Sequence, residues 1–246
     1  MIATANSHES CGPKEAGAST LIVICGDDVY EDLFTASLEL QDILIAEGFV
    51  ARVRMGLSGA VAEADREDLI VLYRAMGEFP PAHQAALAEA VRGGAGLLAL
   101  HSSNVFGSID GELDESYRTA FELIGSRYVS HGEPPHESRF TIRLGGMDAV
   151  TNGIEPFELT HEHYRIETRP AVDVVAWRAT GHGAEPLVHL SSLGDGRVCY
   201  IQFGHDMRVW REPSVRQIIA RSAEWARRRN QGALSMALSN TPGGSL

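Results

Sequence analysis

Ten histidines are spread unevenly along the 246 residues, and eight of them lie between His101 and His205. Neutral imidazole is the commonest metal ligand and a frequent general acid or base. Several converging imidazoles would therefore make either a divalent-metal centre or a proton-transfer site. Two are placed best: His101 directly follows the apolar run LLAL, and His205 follows YIQFG and precedes Asp206. In an open α/β sheet, ligands collect beyond the carboxyl ends of strands, where both fall. In FELTHEHYRIE, strand alternation puts His161 and His163 on one face and Glu162 and Tyr164 on the other, so the four cannot all reach one site. His8, His83, His182 and His189 carry no expected role. No HExxH or paired CxxC is present, so spacing alone specifies no zinc site.

Other chemistries are less supported. There is no GxxxxGK[ST], and the first apolar run leads into GDDVYED, whose acids oppose a pyrophosphate; no nucleotide cofactor is expected. No GxSxG elbow occurs, although Ser102, with His101 before it and Asn104 after, keeps a serine hydrolase open as an alternative. Trp177, Trp210 and Trp225 are expected in the core, Trp210 being the one whose loop could face a substrate.

The elements that must position these groups alternate. LIVICG (21–26), VARVRMG (50–56), DLIVLYR (68–74) and GLLAL (96–100) have the apolar, β-branched character of buried parallel strands. Between them, Asp32 to Glu47 and the stretch opened by Pro80 and Pro81 show helical spacing, with glycine at each end-point. This rhythm predicts a doubly wound sheet with helices on both faces. The second half adds strands: RFTIRL (139–144), FELTHEHYRIE (157–167), VDVVAWRAT (172–180), PLVHLSSL (186–193) and GRVCYIQFG (196–204). LGDG forms a hairpin turn, and SVRQIIARSAEWARRR a closing helix. One domain is expected over 19–229, with polar, poorly ordered tails at 1–18 and 230–246.

Composition narrows the class. With 21 basic against 33 acidic residues, the formal charge of -12 repels phosphate backbones, so no nucleic-acid partner is expected. No apolar run approaches the roughly 20 residues of a membrane span, and the first residues lack a secretory pattern. Of three cysteines, Cys25 and Cys199 fall in apolar runs and Cys11 in the tail, as in a reduced, cytoplasmic protein. The acidic surface leaves room for a homodimer.

Taken together, LLALHSS, GSRYVSH, FELTHEHY and DGRVCYIQFGHD followed by Trp and EWA resemble the ThuA-like family, named for trehalose utilisation, over about residues 20–228. The resemblance implies a flavodoxin-like, class I glutamine amidotransferase-like fold in which His101 stands where amidotransferases carry their cysteine, so thiol-based amidotransfer is not expected. It also implies an enzyme acting on a sugar or keto-sugar derivative by isomerisation, elimination or hydrolysis. His101, His131 and His205 would bind a divalent metal, zinc or manganese. Glu162 would move the proton and Asp206 orient a histidine, while Ser102, Asn104, His163 and Tyr164 would contact the sugar. The alternative is a non-catalytic sugar-binding or regulatory module. Relatives often carry histidines where this chain has GDDVYED, and His-Pro where it has Asp148-Ala149-Val150.

Overall fold

The computed structural model describes residues 17–26, 31–109 and 111–227. Most of both expected tails, with Cys11, lies outside them. Five parallel strands form one half of a nine-stranded sheet: β1 (Ser19–Gly26), β2 (Val50–Met55), β3 (Leu69–Ala75), β4 (Gly96–Leu100) and β13 (Gly196–Ile201). They run in the order β2-β1-β3-β4-β13. Every side chain of β3 and β4 is buried, as covering both faces with helices requires. The sheet then continues antiparallel through β12 (Gly183–Leu193), β11 (Asp173–Thr180), β8 (Glu137–Leu144) and β9 (Phe157–Glu162). These are the expected extra strands of the second half.

Alternate residues of β1 separate two cores. Ile22 and Ile24 join one with α1 (Leu33–Ala46) and α6 (Pro213–Ala226), and Leu21 and Val23 join the other with α3 (Pro81–Arg92) and α4 (Arg118–Ile124). The Asp32 carboxylate caps α1 by accepting from the Thr35 amide at 3.0 Å, and Gly48 just beyond has φ +85°. Pro81 opens α3, where a missing N–H costs nothing. A short helix, α2 (Leu57–Val61), follows β2, and a turn of helix, α5 (Met207–Trp210), precedes α6. Small two-stranded sheets pair β5 (Ser108–Ile109) with β6 (Glu112–Leu113), and β7 (Ser126–Ser130) with β10 (Arg165–Thr168).

One expectation needs correction: FELTHEHYRIE is not a continuous strand. The chain leaves the main sheet after Glu162 and re-enters in the small β7–β10 sheet at Arg165. The His163 amide at the break donates to the His136 carbonyl rather than to a ladder.

His189, on β12 opposite Tyr200, is fully buried, stacked on the Tyr200 ring at 5.2 Å, with neither ring nitrogen hydrogen-bonded. Burial, aided by the Arg169 charge, drives its pKa from 6.5 down to about 3. The unfolded chain therefore takes up this proton at higher pH than the folded one does. The associated stability is complete above pH 6.5 and is lost as pH falls toward 3. His189→Phe keeps the stack on Tyr200 but removes the titration. Between pH 7 and pH 5, urea unfolding should show the variant losing about 2 kcal/mol less stability than the wild type. Equal losses would show that His189 protonates freely in the folded protein.

Candidate active site

The carboxyl ends of the parallel strands deliver the site. Glu31 follows β1, Met76 follows β3, His101 follows β4 and His205 lies just past β13. Glu162 ends β9, Tyr164 sits in the break after it, and Tyr128 and His131 come from β7 and its exit. All but His101, which is buried behind them, line a cleft of about 590 Å³ that also includes Ser102, Val105 and His136.

His101 is its centre, with no solvent exposure and a left-handed backbone at φ +47°. A non-glycine residue there is strained by about 1–2 kcal/mol. Several contacts hold it. Tyr200 Oη donates to the His101 carbonyl at 2.8 Å, and Tyr164 stacks on the imidazole at 4.8 Å. Gly204 passes so close that a Cβ there would stand 2.8 Å from His101 Cβ. His101 Nδ1 lies 2.7 Å from the Gln202 carbonyl, which only accepts, so Nδ1 carries the proton. That bond commits Nδ1 and turns Nε2 toward Glu31 and Glu162.

Around Nε2 stand Glu31 Oε1 at 2.9 Å, Tyr164 Oη at 3.2 Å and Glu162 Oε2 at 3.4 Å. His205 Nδ1 lies 3.5 Å from the same Glu31 oxygen and 3.6 Å from Glu162 Oε2. Tyr73 Oη, which also donates to the Gly204 carbonyl at 3.0 Å, holds the other oxygen of Glu31. Burial alone would raise both carboxylates. The imidazoles of His101 and His205 beside it instead hold Glu31 far below its ordinary value, and His101 with the neighbouring charges brings Glu162 down to about 2. Burial likewise works against charging His101, but Glu162 and Glu31 outweigh it and lift its pKa to about 9. His205 is raised chiefly by the Glu31 carboxylate, 3.5 Å from its Nδ1. His161, buried beside the His101 ring, is pushed down to about 3 by burial and by that positive neighbour.

Two ionised carboxylates on shared imidazoles call for compensating positive charge, met either by protons on the imidazoles or by a divalent cation. The donor set fits a cation. Ligand atoms of Glu31, His101 and His205 all lie within 4.8 Å of one another. Ligands of one tetrahedral zinc ion stand about 3.3 Å apart, given bonds of about 2.0–2.1 Å. His205 Nδ1 and Glu162 Oε2 are both buried without a hydrogen-bond partner, as atoms with an unmet ligand would be.

Of the residues singled out in the sequence, the structure brings His101, His205, Glu162, Tyr164, His131 and Ser102 to this cleft. His131 does not join the ligand cluster. Its Nε2 bonds Glu162 Oε1 at 2.8 Å and its Nδ1 the Tyr128 hydroxyl at 2.6 Å, and Glu31 takes the third place. Two expected sugar contacts, His163 and Asn104, and the expected orienting group, Asp206, fall outside the lining. His163 bonds Ser138 Oγ at 2.7 Å and packs on Phe140, because the break in the strand turns it away. Asn104 is fully buried, donating to Ser126 Oγ at 3.1 Å. Asp206 caps α5 and pairs with Arg208. Trp210 is buried against Tyr73 rather than facing the cleft. Ser102 is 2% exposed and its Oγ has no hydrogen-bond partner, so among the described residues no imidazole stands ready to activate it as a nucleophile. Glu31 was missed although it obeys the strand-end rule that marked His101; the acids of GDDVYED registered only as hostile to phosphate.

The comparisons agree with this architecture. The family model described as "Trehalose utilisation" matches residues 32–226. A putative ThuA-like protein from Parabacteroides merdae is 18% identical with a TM-score of 0.64, over 85% of this chain and 90% of that one. One from Bacteroides uniformis is 13% identical with a TM-score of 0.68, over 87% and 93%. A cytoplasmic protein from Salmonella typhimurium LT2, 10% identical, has a TM-score of 0.61 over 85% of this chain and all of that one. No curated protein matches in sequence. Among the described residues no helix is long and apolar enough to cross a membrane. The mixed α/β sheet is that of the class I glutamine amidotransferase-like fold, and the chain belongs to the ThuA, or trehalose utilisation, family.

Proposed function

We propose that this protein is a cytoplasmic, metal-assisted enzyme of carbohydrate metabolism that moves a proton next to the carbonyl of a keto-sugar derivative, in an isomerisation or elimination. Family membership supports carbohydrate metabolism as the setting. The observation that carries the chemistry is the convergence of Glu31, His101 and His205 on the cleft floor, with Glu162 beside them.

Glu31, His101 and His205 would hold zinc or manganese, which supplies Lewis-acid polarisation of a substrate oxygen. Glu162 is ionised, with Oε1 tied to His131 and Oε2 free of hydrogen bonds, so Oε2 is the position from which a carbon-bound proton is taken. Behind it, His131 and the Tyr128 hydroxyl continue a hydrogen-bonded chain along which that proton can be redistributed. The Ser102 hydroxyl, buried and unpartnered, is placed to bond a substrate oxygen, and Tyr164 Oη lies within reach of the same centre. His101 poised between two carboxylates favours a second reading, metal-free acid/base catalysis by a charged imidazole.

Calorimetric titration of untagged, chelator-treated protein with zinc and manganese separates these readings. About one equivalent should bind, and Glu31→Gln, His101→Ala and His205→Ala should each weaken it by at least tenfold to a hundredfold. If the variants bind as the wild type does, this cluster is not the metal site. A second measurement tests the base: Glu162→Gln should retain metal yet slow solvent-deuterium exchange beside the carbonyl of a 3-keto-glucoside by about 10²–10⁴-fold. Unchanged exchange assigns the proton to another group.

A further inference from the structure

The cleft is not polar throughout. Beside the acids and imidazoles its lining includes Met76, Val105 and the ring of Tyr128. Met76 combines two unfavourable features. Its backbone is left-handed at φ +53°, where glycine sits more comfortably, and its apolar side chain is 50% exposed. Gly77 continues the left-handed path at φ +69°. The segment is nonetheless firmly anchored. Arg74, 2% exposed, donates from one guanidinium nitrogen to the Gly77 carbonyl at 2.7 Å and from another to the Val105 carbonyl at 2.9 Å. The same guanidinium lies over the Phe79 ring, and the Arg74 amide donates to Ser103 Oγ at 3.0 Å. One buried cation thus fixes the backbone on both sides of the apolar rim.

A strained residue persists where its surroundings over-determine it, and such residues cluster at ligand clamps. The fold gains no core from the Met76 side chain, which faces the cleft half in water. A polarisable, unbranched thioether in a cleft that Tyr128 also lines is a surface suited to a flat or irregular apolar group. The volume, about 590 Å³, is within the range of roughly 300–1,000 Å³ for sites that enclose drug-sized ligands, and exceeds the needs of one sugar ring.

We infer that Met76, Val105 and Tyr128 form a subsite for an apolar substituent: the substrate is a sugar derivative carrying an aryl or alkyl group, not a free sugar. The polyol part lies at the histidine–glutamate floor and the substituent on the rim. This rests on the carbohydrate reading above and deepens it by naming the substrate class.

The test compares methyl and phenyl glucosides, in both anomers, and phenol alone, by calorimetry on the full chain and by NMR of protein labelled with ¹³C at the methionine methyls. The phenyl glucoside should bind at least about tenfold more tightly than the methyl one, the return on burying one ring face. It should also shift the Met76 methyl signal, assigned from its loss in Met76→Gly. That variant, freed of the left-handed strain, should melt no lower than the wild type while bringing the two glucosides to within about twofold of each other. Glucosides that bind equally, or a Met76 signal that stays still, overturn the apolar subsite and leave the carbohydrate reading intact. A phenyl glucoside no tighter than phenol, with Met76 shifted, keeps the subsite and removes the carbohydrate reading. Binding by neither glucoside overturns both.

Discussion

Two buried carboxylates sharing imidazole partners govern this molecule's chemistry. Glu31, 3% exposed at its side chain, and Glu162 both lie within 3.4 Å of His101 Nε2 and within 3.6 Å of His205 Nδ1. Removing a charge from water costs several kcal/mol unless it is matched. Protons on His101 and His205, or a divalent cation if one binds as proposed, would satisfy the same carboxylates in mutually exclusive ways. A cation entering this site must therefore displace protons, so its uptake and acidity are coupled by construction. The tautomer of His101 makes the exchange possible: with Nδ1–H committed to the Gln202 carbonyl, losing the Nε2 proton presents a lone pair without any ring movement.

The rest of the fold serves that constraint from strand ends. Parallel strands bring β1, β3, β4 and β13 to a common edge of the layer, so groups distant in sequence meet with short connections. Tyr73, in β3, reaches both Glu31 and the Gly204 carbonyl, tying the exit of β1 to the exit of β13. Tyr200, in β13, holds the carbonyl of His101 beyond β4. Buried aromatic hydroxyls thus fix backbone and carboxylate positions that sheet hydrogen bonds alone do not reach.

The scaffold was legible because it is local. Apolar runs, the helical spacing from Asp32 to Glu47, the Pro80–Pro81 opening and the LGDG turn each announce their element over a few residues, and the structure has them there. The strand-end rule pointed to His101 and His205, which the structure places side by side; alternation assumed a continuous strand, and Glu162 and Tyr164 share the cleft through the break after β9 instead. What was not legible depends on competition among neighbours. Asp206 is taken by Arg208 and by the first amides of α5, and His163 by Ser138 across the β8–β9 edge. His131 finds a carboxylate before it finds a metal position. Met76 carries no chemical signal in a sequence; its φ and its anchoring by Arg74 exist only in three dimensions.

The left-handed turn at His101 gives the site its character. The strain at φ +47° presents an imidazole whose Nε2 stands between two carboxylates. The adjacent hydroxyl, Ser102 Oγ, has no hydrogen-bond partner among the described residues. Backbone strain of this kind fixes where a side chain points and leaves the chemistry to the residue type.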